Sequence, residues 1–229
     1  MNKSAYRYFD IVVGLFVAVL LISNLTSSAK IVVLGSFVYD GGTLLFPLSY
    51  IFGDILTEVY GYALARRTIW IGFLAALLMA LTITLVGLLP GEAEWSTRVG
   101  QQAYDQILSA TPRIVIASLI AYLAGSFSNA YAMAKMKIAT QGRWLWTRTI
   151  GSTIIGQAID TVVFVLAAFA FTEGFSAILI WGIIISNYVF KVGVEILLTP
   201  LTYTVISYLK RAEKADVFDI ETVFNPFQI

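Results

Sequence analysis

An all-α membrane protein, a bundle of six transmembrane helices with both termini cytoplasmic, is the fold class that the sequence predicts. Three observations carry it. Hydrophobic residues make up 59% of the 229-residue chain and charged residues 13%, against about 25% charged in an ordinary soluble domain. Mean hydropathy is +0.82. Six apolar stretches reach the ~20 residues that a helix needs to cross a bilayer: 8–28, 43–64, 68–89, 112–134, 149–171 and 176–208.

In the first span, Lys3 and Arg7 precede an apolar run from Ile11 to Ile22 that leads straight into SNLTSSAK. No small-x-small cleavage pattern follows, so this is a retained helix rather than a cleaved signal. The next stretch, KIVVLGSFVYDGG, has β-branched residues and a Gly41-Gly42 pair, which predict an extended or re-entrant loop. The second span holds PLSYIFGDILTEVYGY, and the third is uninterrupted. GEAEWSTRVGQQAYDQ is the longest polar connection before the fourth. The sixth span is longer than a crossing requires and must tilt, bend or protrude, with Pro200 as a natural kink site. Residues 1–211 thus form the six-helix domain. Residues 212–229 are too polar to span and form a short cytoplasmic tail.

Lys and Arg set the orientation. With the N-terminus inside, the inner loops and ends hold Lys3, Arg7, Arg66, Arg67, Lys135, Lys137, Arg143, Arg148, Lys210, Arg211 and Lys214. The outer side holds Lys30, Arg98 and Arg113, and Lys191 lies within the sixth span. Eleven against three is the positive-inside bias. Arg66 and Arg67 read as topology alone.

Net charge is +1, which gives no basic field for nucleic acid. The chain has no cysteine and no histidine. Disulfides, thiol nucleophiles and the usual zinc sites are excluded, and neither a metal nor a cofactor is expected. Any proton chemistry must use carboxylates, Lys191 or tyrosines.

Charged groups inside the spans cost roughly 2.5–3.5 kcal/mol each on insertion scales, so those present must face the bundle interior. Span two places Asp54 and Glu58 on one helical face with Tyr50, Thr57 and Gly61. Span five offers Gln157, Asp160 and Thr161; span six offers Asn187, Lys191 and Glu195. Span one ends with Asn24 among serines, and span four adds Asn129 near Tyr122 and Ser126. One reading of Lys191 is helix glue, an ion pair with Asp160 or Glu195; the other is a coupling role for Lys191 and Glu195. Asp54 and Glu58 read as a site for a ligand, because intramembrane acids mark sites by default. Counted with Lys191 alone, the four acids leave a net −3. That calls for protons or for a substrate that brings donors and positive charge. A carboxylate accepts two parallel N–H bonds well, and a guanine-like edge presents that pair. Tyr50, Tyr131, Trp181 and Tyr188 are candidate stacking faces.

ISNLTSSAK, FPLSYIFGDILTEVYGY, RTIWIGF, FSNAYAMAKMK, TRTIGSTIIGQAIDTVVF and the terminal FNPF, in this order, resemble the queuosine precursor transporter family, also called the vitamin uptake transporter family. The resemblance covers nearly the whole chain. It implies a six-helix protein of the bacterial-type inner membrane. It also implies import of 7-cyano-7-deazaguanine and 7-aminomethyl-7-deazaguanine, nucleobases with a guanine-type edge. Matched motif by motif, the family's polar signature falls on Asn24, Asp54, Glu58, Asn129, Gln157 and Asp160. These are the expected substrate-binding residues, with Asp54 or Glu58 accepting the ring N–H and amino group.

The same family resembles the substrate-binding subunits of energy-coupling-factor importers, so a coupling subunit and uptake of another small vitamin stay open. Gly14 and Ala18 form a small-xxx-small pair, suited to a neighbour, to a homodimer or to packing within the bundle. No GxxxxGK[ST] pattern is present, so an ATPase would be a separate chain. A rival from another class is an intramembrane aspartyl protease with two carboxylates. Its Gly-x-Gly-Asp mark fails here, since Ile51-Phe52-Gly53-Asp54 lacks the first glycine.

Overall fold

A computed structural model describes residues 6–34, 37–108, 112–170 and 176–228; Lys3 of the inner-side set lies outside them. The first helix, α1 (Phe9–Ala29), is followed by a hairpin of β1 (Ile31–Leu34) and β2 (Phe37–Asp40) and a 3₁₀ turn, Gly41–Leu44. The hairpin is antiparallel, with Ile31 opposite Asp40 and Val33 opposite Val38. The β-branched loop is therefore extended, as its composition predicts.

The expected second span takes a different form. Helix α2 (Phe46–Ile55) runs into a single π turn, Leu56–Tyr60, and stops at Gly61. Helix α3 (Tyr62–Gly87) then starts at once, so residues 62–64 belong to the third span rather than the second. The polar connection folds as α4 (Ala93–Arg98) and α5 (Gly100–Leu108), and α6 (Pro112–Ala139), α7 (Leu145–Phe169) and α8 (Ala177–Glu213) complete the bundle. Among the described residues, five helices are long and apolar enough to cross a membrane: α1, α3, α6, α7 and α8. The 15 residues of α2 and its π turn measure about 22 Å at 1.5 Å per residue. All five residues of the π turn are buried. This short passage is sheltered by the other helices, the setting in which irregular backbone is tolerated at membrane depth. α8, at 37 residues, is about 55 Å long and projects beyond a crossing.

The start of α1 and the end of α8 meet at one end of the bundle. Glu213, at the end of α8, accepts the backbone N–H groups of Arg7 and Tyr8 at 2.8 and 2.6 Å, and the Tyr60 hydroxyl at 3.0 Å. The core beneath is built from Val12, Phe16 and Leu20 of α1, Ile55 and Val59 of the short passage, and Met133 of α6. Gly14 and Ala18, by contrast, lie on the exposed face of α1, with nothing within 4 Å of a Cβ at Gly14. Their packing is not within this bundle.

Two helices approach more closely than side chains would allow. A Cβ on Gly125 of α6 would stand 2.7 Å from the Asp160 Cβ, and one on Gly156 of α7 would stand 2.7 Å from the Asn129 Cβ. Small residues permit such crossings in membranes. This crossing sets Asp160 against Gly125 and Asn129 against Gly156, about one turn apart between the helices.

The tail is ordered against the same end as the termini. Asp219 accepts the Tyr62 N–H at 2.9 Å and so caps the first turn of α3. Arg66 donates to the carbonyls of Val223 and Asn225 at 2.9 and 2.7 Å, and Trp70 donates to Pro226 at 2.8 Å. Arg66, read from the sequence as topology alone, thus binds the tail. Phe224 packs between Tyr62 and Tyr131. Gly61 sits at φ 86°, ψ 165°, a region open essentially to glycine alone. A Cβ there would approach Val217 Cγ1 to 2.7 Å. Gly61→Ala is expected to cost about 1–3 kcal/mol of backbone strain and to push the tail off. Limited proteolysis should then cleave the variant's C-terminus faster than that of the parent protein.

Candidate functional site

The buried polar groups divide into two layers along the bundle. The layer nearer the tail centres on Glu58, which is 0% exposed. The π turn swings this side chain towards α7. There Arg148 grips it with two parallel bonds, Nε to Oε2 at 2.8 Å and Nη2 to Oε1 at 2.7 Å. Lys210 Nζ reaches Oε1 at 2.5 Å and Lys137 Nζ stands 3.6 Å from it. Asp216 of the tail bridges the two lysines at 2.5 and 2.7 Å. Lys137 also donates to the carbonyls of Glu58 and Val217, both at 2.7 Å. Burial pushes the Asp216 carboxyl up, but the two ammonium groups outweigh it and hold it below the usual carboxylate range. The cluster holds three cations and two anions, a net +1.

The second layer begins one helical turn away, at Asp54. It is 1% exposed and accepts from Asn129 Nδ2 at 2.9 Å and, more weakly, from Ser152 Oγ at 3.4 Å. Glu195 of α8 meets Thr153 Oγ1 at 2.5 Å. Asp160 pairs with Lys191 at 2.8 Å, so the glue reading of Lys191 names its partner. Lys191 also stands 4.8 Å over the Phe46 ring. The Tyr50 hydroxyl lies beside Asp160, 3.2 Å from where a Gly125 Cβ would be. Among the described residues, four buried side-chain oxygens here have no partner: Asn129 Oδ1, Gln157 Oε1, Thr161 Oγ1 and Glu195 Oε2. Asp160 lies twelve residues along α7 from Arg148, or about 18 Å, some three-fifths of the way through that helix.

The structure brings together Asp54, Asn129, Gln157, Asp160, Lys191, Glu195 and Tyr50. It sets Glu58 one layer away, with both carboxylate oxygens taken. Asn24 donates to Leu20 of its own helix at 2.8 Å. Tyr131 packs on Phe224 of the tail, Trp181 is exposed, and the Tyr188 hydroxyl meets the Ile154 carbonyl at 3.4 Å. Of the four aromatic candidates, only Tyr50 stands at the second layer. The expected net −3 is corrected: Glu58 is neutralised by Arg148, Lys137 and Lys210, cations that the sequence assigns to membrane sidedness. No local signal tells a topological cation from one that turns inward. Ser152 was missed because a lone serine on a helix carries no pattern.

Between α1, α2, α3 and α6, Tyr50, Gly53, Tyr122, Ser126 and Asn129 line a cavity of about 20 Å³. That is room for one water, whereas small-molecule sites measure about 300–1,000 Å³. This conformation is closed, and a ligand enters only if the helices part. Among the described residues no group of three or more acidic side chains has the geometry to hold a metal ion.

A family model described as "putative vitamin uptake transporter" matches residues 40–205. The chain belongs to the vitamin uptake transporter family. It is 30% identical over 176 residues to a "Probable queuosine precursor transporter" of Bacillus subtilis (strain 168), covering 76% of this chain and 74% of that protein. It is 28% identical over 180 residues to the "Queuosine precursor transporter" of Escherichia coli (strain K12), covering 77% of each. A further "Probable queuosine precursor transporter", from Haemophilus influenzae, is 27% identical over 134 residues, 58% of this chain and 53% of that protein. No solved structure matches. As a member of the vitamin uptake transporter family with several membrane-crossing helices, the chain is a multi-pass inner-membrane protein. The matched vitamin uptake transporter segment contains the whole second layer together with Glu58, Lys137 and Arg148, while Asn24, Lys210 and Asp216 fall outside it.

Proposed function

We propose that this protein imports queuosine precursors, 7-cyano-7-deazaguanine and 7-aminomethyl-7-deazaguanine, through the second polar layer. The relatives' names supply the substrate class. The observation that carries the site is the surplus of acceptors. Among the described residues, Asp54 is a buried carboxylate held only by an amide and a hydroxyl, and Asn129 Oδ1 beside it and Gln157 Oε1 in the same layer lack donors. Buried acceptors without donors cost about 1–3 kcal/mol each. A flat base with a ring N–H next to an amino group supplies what is missing.

In this reading Asp54 accepts the paired N–H groups, and Asn129 and Gln157 take further donors. Tyr50 offers its ring. Asp160 and Lys191 bound the layer as a neutral pair, and Glu58 holds the closed end rather than the base. The short passage of α2 is the sixth crossing, and the end that carries both termini and the tail faces the cytoplasm, as the Lys and Arg count requires. Opening towards one face and then the other carries the base across.

Unfolding of the purified protein with and without each base tests this, with adenine and biotin as controls. A ligand at about 100 times its Kd adds roughly 2.7 kcal/mol. A shift with the two deazaguanines only is the expected result. A shift with biotin alone would keep the fold and discard the substrate.

A further inference from the structure

Glu195 plays no part in the substrate contacts above, yet it is 5% exposed. It shares the lining of one crevice with Asp54, Thr153, Thr199 and Thr202, close enough for Glu195 to feel the charge of Asp54. Among the described residues no Lys or Arg nitrogen pairs with either carboxyl, and the nearby cations are committed elsewhere, Arg148 to Glu58 and Lys191 to Asp160. Of the titratable groups around them, Glu58 lies near Asp54 and Tyr50 lies near Glu195, and the neutral amide of Gln157 also stands beside Glu195.

Protons can be counted around Thr153. Its oxygen lies 2.8 Å from the Thr149 carbonyl and 2.5 Å from Glu195 Oε1. One hydroxyl proton cannot fill both contacts. If the hydroxyl donates to the Thr149 carbonyl, as serine and threonine do along helices, the 2.5 Å contact needs a proton from Glu195. An ionised Glu195 would also leave Oε2, which has no hydrogen-bond partner, as a buried charge beside a second carboxylate, offset only in part by the neutral Gln157 amide nearby. Two such groups cannot both ionise in a water-poor interior.

We propose that Glu195 is a proton-binding site: in the closed conformation it is a neutral acid that donates to Thr153, and this leaves Asp54 as the layer's one unpaired anion. The inference rests on the transport reading for its consequence, that the site closes and works only with Glu195 protonated. Each closing therefore traps one proton, taken from water on the open side and released when Glu195 is next exposed. Glu195→Gln keeps a donor and an acceptor in the same places and mimics the protonated form. Glu195→Ala removes the donor.

Infrared spectra of the purified protein at pH 7 and uptake of 7-cyano-7-deazaguanine into proteoliposomes across a pH series test the proposal together. The parent protein should show a protonated-carboxyl C=O band that Glu195→Gln lacks. Its uptake should fall about tenfold per pH unit once Glu195 ionises, as loss of one proton dictates. Glu195→Gln should keep uptake and lose this alkaline fall, while Glu195→Ala should lose uptake. A spectrum of Glu195→Gln identical to the parent's overturns the proton site. So does a Glu195→Gln profile that still falls with the parent's. If the parent protein takes up no base while the band is present and Glu195-dependent, the transport reading and the working role fall together, and the neutral acid alone stands.

Discussion

Glu58→Gln is expected to lower the unfolding midpoint on the order of 10 °C, the equivalent of about 3–5 kcal/mol, while the fraction that remains folded binds substrate as before. Arg148, Lys137 and Lys210 converge on this one carboxylate, and Asp216 is the other anion within reach. Removing its charge takes the cluster from +1 to +2 in a place where Arg148 and Lys137 are each 1% exposed. Stranded buried charge is the costly case; a complete pair is worth far less than its breaking suggests. Glu58→Gln combined with Arg148→Gln should therefore recover part of the loss, a coupling that a double-mutant cycle in detergent measures directly. Normal stability in Glu58→Gln, with binding abolished, would move Glu58 back among the substrate ligands and refute the structural role.

Asp54→Asn, one turn earlier on the same face, should do the opposite. Uptake of either deazaguanine is expected to fall about 100-fold or more, because two charge-assisted hydrogen bonds to the base are lost at about 1.5–3 kcal/mol each. Stability should hold or rise. The asparagine oxygen can still accept from Asn129 and Ser152, and a neutral amide no longer has to be stripped of water as an anion does. Uptake assays paired with unfolding midpoints read both quantities. Uptake unchanged in a stable Asp54→Asn protein would remove the second layer as the substrate site.

These opposed outcomes show where sequence reasoning ends. Asp54 and Glu58 look alike in the chain: two acids four residues apart in an apolar stretch, on one helical face. Composition and hydropathy determine that such a chain lies in a membrane as helices, since hydrocarbon offers the backbone no other partner. The same logic places the acids inside, because lipid cannot solvate them. Order along the chain also settles the extended β-branched loop and the polar character of the connections and tail. Each of these follows from local chemistry and from the length of a bilayer.

What separates the two acids is decided between helices. The π turn at Leu56–Tyr60 directs Glu58 to Arg148, ninety residues away, whereas among the described residues Asp54 meets only neutral donors, from α6 and α7. Lys137, Arg148 and Lys210 are, in sequence, three of eleven inner-side charges. Their inward turn depends on a cavity built by other segments. The close crossing at Gly125 and Gly156 and the tail lodged over Gly61 are likewise products of packing. A sequence shows which residues cannot face lipid; only the tertiary structure assigns their partners, because the energy of a buried charge depends on what stands within about 4 Å of it.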